Sequence, residues 1–239
     1  MEKKPGTLYG IGVGPGDPEL LTIKAVNILK SVDVVFAASS IKNKHSLAVE
    51  IARPHLSEHT DVRALPFQMS NNEAERGKLW EENAEIIMSE LQEGKSVAFL
   101  TLGDSLTYST YGYLLKIINK KAPQINIVSV PGITSYQAAA ARINTPLVEG
   151  DESLLITSGA RGGDELRKYG VSADNVVLLK AYKNIADINS ALKDADLLEN
   201  SIGISRCGRE DEEIILDVTA FETRKPDYWT LVIAKRNKV

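Results

Sequence analysis

Short apolar runs alternate along this chain with longer segments whose apolar residues recur at helical spacing, and glycine-bearing stretches separate them. Leu8 to Val13 reads as a first strand, stopped by Gly12-Val-Gly14-Pro15-Gly16-Asp17. Thr22 to Leu29 has helical spacing, with Asp17 and Glu19 near its start, where carboxylates favour exposed N–H groups. Val32 to Ala37 is largely β-branched and strand-like. Leu47 to Arg53 reads as helix, Val62 to Leu65 as an edge-like strand, and Glu75 to Gln92 as a long amphipathic helix ended by Gly94. Ser96 to Leu102 is a buried-looking strand running into Gly103-Asp104-Ser105. Tyr111 to Asn119 is helical, Ile125 to Val130 a strand ending at Pro131-Gly132, and Ser135 to Ile143 an alanine-rich helix. This strand–loop–helix rhythm predicts βαβ units on a mostly parallel sheet.

The pattern changes at Leu147 to Asp151, where a proline, acidic residues and a glycine interrupt it. A boundary there gives an N-terminal domain over 1–148 and a C-terminal domain over 149–239. The second half offers strands at Ser153–Thr157, Val176–Lys180, Gly203–Ser205, Glu213–Thr219 and Tyr228–Ala234, with helices at Glu165–Tyr169 and Asp187–Ala195. The last two strands follow each other with no room for a helix, which predicts a mixed sheet. The fold class is therefore α/β, mostly parallel first and mixed second.

A length of 239 residues accommodates two moderate domains. The 28 basic against 32 acidic residues give a net charge of −4, which argues against a nucleic-acid coat and leaves room for a local basic patch. No window reaches the roughly 18 consecutive apolar residues of a membrane span. The N-terminus has no apolar signal-type run, so a cytoplasmic location is expected. The single cysteine, Cys207, forms no internal disulfide, and no Cys/His spacing matches a zinc site. It reads as a semi-buried small residue with no base at a recognisable spacing. His55 and His59, after Pro54, read as a surface pair, and His45 stands apart from them. Trp80 and Trp229 read as core.

The chemistry concentrates in three loops that follow strands. Gly12 to Asp17 departs from the dinucleotide fingerprint: its spacing is GxGxG, and Pro15 removes a backbone donor. It also lacks the Gly-Lys-Ser/Thr ending of a phosphate-binding loop. Thr101 to Tyr111 and Val130 to Ser135 are the other two. At the carboxyl ends of parallel strands such loops line one crevice, and their hydroxyls and free backbone groups suit an amino-acid-like or ribose-bearing ligand. Each loop taken alone is equally a tight turn or a Ser/Thr helix cap.

Taken together, GVGPGDPELLTIKA (Gly12–Ala25), TLGDSLTYSTY (Thr101–Tyr111) and VPGITS (Val130–Ser135) resemble the signature segments of the tetrapyrrole methylases. The extended TLGDSLTYSTYGYL segment is similar to the C-20 methyltransferases of precorrin-2 or cobalt-precorrin-2. The resemblance runs on through Arg206-Cys-Gly208-Arg-Glu-Asp and Tyr228-Trp-Thr230-Leu-Val-Ile. It implies a two-domain homodimer with S-adenosylmethionine bound in an inter-domain cleft, an anionic tetrapyrrole substrate, and neither nucleic-acid nor membrane partners. Leu102, Gly103, Asp104, Leu106 and Thr107, with Ser135, would border the cofactor's methionine end. Tyr182, the stretch Arg206, Cys207 and Gly208, and Thr230 would meet its adenosine. The wording Lys180-Ala-Tyr182-Lys183 departs from methionine-rich versions in the family. Gly12, Gly14, Pro15, Gly16 and Asp17 would face the macrocycle, and Arg142, Arg161, Arg206 and Arg209 are the candidates for its carboxylates, since a guanidinium pairs well with carboxylate; as solvated charges they need no ligand.

The cofactor brings an electrophilic methyl, so no protein-bound metal is implied, and any cobalt arrives inside the macrocycle. The protein supplies in-line placement and water exclusion. Asp104 and Tyr108 are the candidates for removing the proton from C-20. The compact chain points by family analogy to the cobalt form and the anaerobic route. The aerobic precorrin-2 reaction and methylation at another tetrapyrrole carbon stay open beside it. A nicotinamide-dependent oxidoreductase or a noncatalytic cofactor-binding protein is more distant.

Overall fold

The computed structural model describes residues 4–39, 46–67 and 72–236, and by packing the chain forms two compact units, Met1–Thr134 and Ser135–Val239. The first unit carries strands β1 (Thr7–Gly12), β2 (Val34–Ser39), β3 (Asp61–Pro66), β4 (Val97–Thr101) and β5 (Asn126–Val130). Its helices are α1 (Ile23–Leu29), α2 (Leu47–Ala52), α3 (Glu73–Gln92) and α4 (Tyr111–Lys121). The strand order is β3-β2-β4-β1-β5, and every pairing is parallel.

Strict alternation along the strands creates two apolar faces. Leu8, Val34, Phe36, Val97 and Phe99 point to the side covered by Ile87 and Leu91 of α3 and Leu114 and Ile118 of α4. Ile11, Val35, Ala37, Ala98 and Leu100 point to the other, covered by Ala25 and Leu29 of α1 and Ala48 and Ile51 of α2. The crossover from β1 runs toward β2, while that from β4 runs the opposite way to β5. The carboxyl ends of adjacent β1 and β4 are thus a topological switch point, where open α/β sheets leave a crevice.

The second unit begins with α5 (Ser135–Arg142) and holds a five-stranded sheet of order β6-β7-β10-β8-β9. Its strands are β6 (Leu154–Ser158), β7 (Asn175–Leu179), β8 (Ser201–Ser205), β9 (Glu213–Ile215) and β10 (Thr230–Lys235). Only β6 and β7 pair in parallel; β10 runs antiparallel to β7 and β8, and β9 antiparallel to β8. Helices α6 (Asp164–Tyr169) and α7 (Ile185–Asp194) cover one face through Leu166, Ile188 and Leu192. The parallel first sheet and mixed second sheet are those the periodicity predicts.

Three local readings need correction. The strand expected over Glu213–Thr219 stops at Ile215, because Asp217 caps a 3-10 turn over Val218–Glu222 by accepting from the Thr219 amide. That turn occupies the space expected to be too short for a helix, and it buries Val218 and Phe221. The last strand starts at Thr230, since Asp227 takes the Trp229 amide into a turn. Asp17 and Glu19 belong to a separate 3-10 turn, Pro18–Leu20, while α1 is capped by the Thr22 hydroxyl.

Candidate functional site

In the first unit, the loops after β1, β4 and β5 are in direct backbone contact. Gly14 and Gly103 form an antiparallel bridge, the Gly103 amide donating to Gly14 at 2.7 Å and the Gly14 amide to Gly103 at 3.2 Å. A Cβ at Gly12 would lie 2.7 Å from the Gly132 amide nitrogen, and one at Gly132 would lie 2.2 Å from the Gly103 carbonyl oxygen. Real side chains do not fit at those distances, so Gly12 and Gly132 must be glycines for the loops to meet. Gly103 differs: its φ of +73° excludes ordinary side chains, but the space beside it is open, the nearest atom being Ile133 O at 3.9 Å. Gly103 is itself buried, and its requirement for glycine comes from the backbone conformation and not from crowding at Cβ.

Asp104 clasps these loops. One carboxylate oxygen accepts from the Leu106 amide at 2.9 Å and the Thr107 hydroxyl at 3.0 Å, and the other accepts from the Gly132 amide at 3.1 Å. Burial acts to raise its pKa, but the Leu106 and Gly132 amides and Thr107 outweigh it and hold the carboxyl below the usual range. Ser105, fully buried, donates to the Val130 carbonyl and ties the same two loops from beneath. Leu106 and Tyr108 stand exposed, Tyr108 with a left-handed φ of 51°, and Thr107 is half-buried. Leu102 packs on the α1/α2 side of the core. Pro15 is buried and Gly16 half-buried, while the Asp17 carboxylate is occupied by the Glu19 amide at 2.8 Å.

Below the switch point, Tyr111 opens α4 fully buried, its hydroxyl 3.0 Å from Ser129. A Cβ on Gly10 would sit 2.0 Å from its ring, so that glycine lets the tyrosine cross the sheet. Burial pushes the Tyr111 phenol above its ordinary pKa, and the Ser129 hydrogen bond only partly offsets this.

In the second unit, the ends of β7 and β8 converge on the start of β10. The Ala181 amide donates to the Thr230 carbonyl at 2.9 Å, and the buried hydroxyls of Ser205 and Thr230 are 2.7 Å apart. Tyr182 meets Tyr228 edge-on at 5.4 Å. Arg206, with a left-handed φ of 53°, donates to the Asp211 carbonyl and to the Asp227 carboxylate. The Gly208 amide donates to Glu212, and Glu212 also pairs with Arg142 at 2.5 Å. Arg209 pairs with Asp211 at 3.2 Å. Burial first, then the Glu212 charge and hydrogen bond, push the Cys207 thiol up to about 12.

The predicted residues therefore fall into two groups: the glycines with Leu102, Asp104, Leu106 and Thr107 in the first unit, and Tyr182, Arg206, Cys207, Gly208 and Thr230 in the second. Ser135 opens α5 and packs with the second unit. Arg161 is exposed at the end of the 3-10 turn Gly159–Arg161. Sequence reasoning missed Ser205, Glu212 and Asp227. The signal for Asp227 was its position three residues before Thr230, the spacing of an aspartate that turns the chain into a strand. Of the histidines, His55 ends a 3-10 turn and His59 follows in a loop, while His45 lies outside the described residues. Among the described residues no three His, Cys, Asp or Glu side chains are grouped as metal ligands, and no helix is long and apolar enough to cross a membrane.

Residues 7–222 match the family model described as Tetrapyrrole (Corrin/Porphyrin) Methylases. The chain belongs to this family. It is 38% identical over 208 residues to the cobalt-precorrin-2 C(20)-methyltransferase of Salmonella typhimurium, covering 87% of this chain and 86% of that one. It is 37% identical over 242 residues to the probable cobalt-precorrin-2 C(20)-methyltransferase of Methanocaldococcus jannaschii, covering all of both. Among solved structures, the cobalt precorrin-4 methyltransferase CbiF shares the fold, with a TM-score of 0.77 at 22% identity over 96% of this chain and 94% of that one. As a tetrapyrrole methylase, the chain carries its glycine loops at the switch point of the first sheet.

Proposed function

We propose that this tetrapyrrole methylase transfers a methyl group from S-adenosylmethionine to C-20 of cobalt-precorrin-2 in the anaerobic route to cobalamin. The observation that carries the reading is the likeness, over 86% or more of each chain, to two relatives named for that reaction. By the family resemblance, the loop from Leu102 to Thr107 would meet the methionine end of the cofactor, and Tyr182 with the stretch Arg206–Gly208 its adenosine. When bound, the cofactor supplies an electrophilic methyl on a cationic sulfur.

The protein's contribution is placement. Asp104 holds the β4 loop against the β5 loop, so the exposed residues Leu106 and Tyr108 project from a fixed frame. Orientation of two reactants is worth about 7–11 kcal/mol of barrier when geometry is enforced. Both Asp104 oxygens already accept hydrogen bonds, which suits a positioning role better than proton removal. Tyr108 is the remaining candidate to receive the C-20 proton.

An anaerobic assay with S-adenosylmethionine, offering metal-free precorrin-2 and its cobalt complex in parallel, tests the proposal by product mass and methyl position. One methyl at C-20 of the cobalt form alone is expected. Preference for the metal-free form would move the enzyme to the aerobic reaction, and methylation of neither would send the search to another tetrapyrrole.

A further inference from the structure

The arginines to which the sequence points as carboxylate partners are mostly engaged within the protein. Arg206 is held by Asp211 and Asp227, Arg209 by Asp211, and Arg142 by Glu212. An acidic ligand would have to displace these carboxylates to use them. A different set of cations stands at the carboxyl ends of the parallel pair β6 and β7, where the register sets Ser158 beside Leu179 and both chains leave the sheet together.

We propose that Lys180, Lys183 and Arg161 form a subsite for the carboxylate side chains of a polycarboxylate macrocycle, an inference that rests on the substrate class given above. The turn carrying Arg161 packs directly on the chain that carries the two lysines. A Cβ at Gly159 would lie 3.4 Å from the Ala181 Cα, and one at Gly162 would lie 3.5 Å from the Asn184 Cβ. The Gly163 amide donates to Asp187 at 2.7 Å and fastens the turn to the start of α7, which follows the lysines.

None of the three cations has an ion-pair partner among the described residues. Each ammonium is instead held over an aromatic ring: Lys180 Nζ is 5.6 Å from the Tyr228 centroid, and Lys183 Nζ is 5.1 Å from that of Tyr182. A ring face fixes a cation but does not neutralise it, and leaves its N–H donors for an acceptor. Asp187, the acid in the first turn of α7, is consumed by Arg167 at 2.6 Å and by the Gly163 amide. Lys180 also adopts a left-handed φ of 58°, a conformation unfavourable for a residue with a Cβ. Such strain kept at a strand end, beside a cation without a carboxylate, is the pattern of a binding loop.

The test titrates wild type and K180Q/K183Q with uroporphyrin, a metal-free tetrapyrrole polycarboxylate, and with its methyl ester, following fluorescence at two salt concentrations. S-adenosylhomocysteine binding is measured in parallel by calorimetry. Wild type is expected to bind the acid and not the ester. The double variant should bind the acid roughly tenfold more weakly with a shallower salt dependence, the scale of two partly screened charges, and should lose more affinity for the acid than for S-adenosylhomocysteine. Equal affinity of wild type and variant for the acid overturns the subsite while leaving the substrate class standing. Failure of wild type to bind the acid overturns the subsite and the substrate class together. Because Lys180 is half-buried, K183Q alone, at an exposed position, serves if the double variant does not fold; a loss of roughly threefold is expected, and no loss overturns the proposal.

Discussion

The two units solve the same problem, holding loops rigidly at strand ends, in opposite ways. In the first, loops meet backbone to backbone, and the positions that allow it are glycines: Gly12 and Gly132 leave no room for another atom, and Gly103 holds a left-handed backbone. In the second, loops are held by side chains, and residues with a Cβ take the left-handed conformations: Lys180, Asn184 and Arg206. Arg206 is anchored to Asp211 and Asp227, and Ser205 to Thr230. A site built from backbone is intolerant of added atoms, whereas one built from clasping side chains is sensitive to atoms removed. That asymmetry can be tested one substitution at a time.

The largest effect is expected at Gly132. In Gly132→Ala the new methyl would meet the Gly103 oxygen at 2.2 Å and the Gly12 carbonyl carbon at 2.7 Å, and backbone atoms cannot swing aside as a side-chain end can. Overpacking of this kind costs about 3 kcal/mol, which corresponds to a fall of roughly 6–12 °C in Tm for a chain of this size. Calorimetry checks it, and a Tm unchanged within a degree would mean that the three loops are not locked together.

Next comes the clasp that the first unit does take from a side chain. Asp104→Asn keeps the shape of the carboxylate but turns an NH2 group toward either the Gly132 amide or the Leu106 amide and Thr107 hydroxyl. Losing charge-assisted bonds in a half-buried place costs about 2 kcal/mol. The sign of its pH dependence follows from the direction of the shift. Hydrogen bonding leaves the folded carboxyl below its ordinary pKa despite burial, so the unfolded chain binds the proton more readily. Stability from Asp104 is therefore complete above the ordinary carboxylate value of about 4 and is lost as the pH falls through the folded value. Urea unfolding at neutral pH should separate wild type from variant, and the separation should shrink below about pH 4. A gap that widened on acidification would contradict this assignment.

In the second unit the matching substitution is Asp227→Ala. It removes the partner of Arg206 and the acceptor of the Trp229 amide together. These groups are partly exposed, so solvent recovers much of the loss and about 1 kcal/mol is expected. The informative readout is the ratio of two effects: S-adenosylhomocysteine affinity should fall more than stability does, because Asp227 turns the chain into Thr230. Equal affinity with lowered stability would make the clasp purely structural.

The contrast between the units also explains what was legible in the sequence. The first sheet could be read because its strands are short continuous apolar runs bounded by glycine; that their residues divide between two covered faces is shown only by the fold. The glycine loops were visible for the same reason, although that Gly12 and Gly132 touch Gly103 is a matter of strand order, which no local pattern contains. In the second unit the partners of Arg206 lie 5 and 21 residues away, and Asp211 and Asp227 look like ordinary surface acids until the sheet brings them together. The arginines were therefore read as open to ligand when three of the four are occupied. Val218 and Thr219, the start of the turn, read as strand because Val and Thr favour strands locally, while the Asp217 cap and burial of Phe221 override that preference.

The smallest effect is expected at Cys207, a residue inside the second clasp. The thiol sits between Arg206 and Gly208, and the sequence reads it as a semi-buried small residue with no base at a recognisable spacing. In the fold it is 6% exposed, and burial with the neighbouring Glu212 charge raises its pKa to about 12. At pH 8 this leaves on the order of one thiolate in ten thousand molecules, against a substantial fraction for a free thiol. The sign is clear: both burial and the adjacent carboxylate disfavour the thiolate, and Arg142, which would favour it, is paired with Glu212. A disulfide reagent at pH 8 should leave the native protein unmodified for hours and titrate one thiol after unfolding. Rapid native reaction would mean that the loop from Arg206 to Glu212 opens readily, and the side-chain clasp would then be far looser than the backbone lock of the first unit.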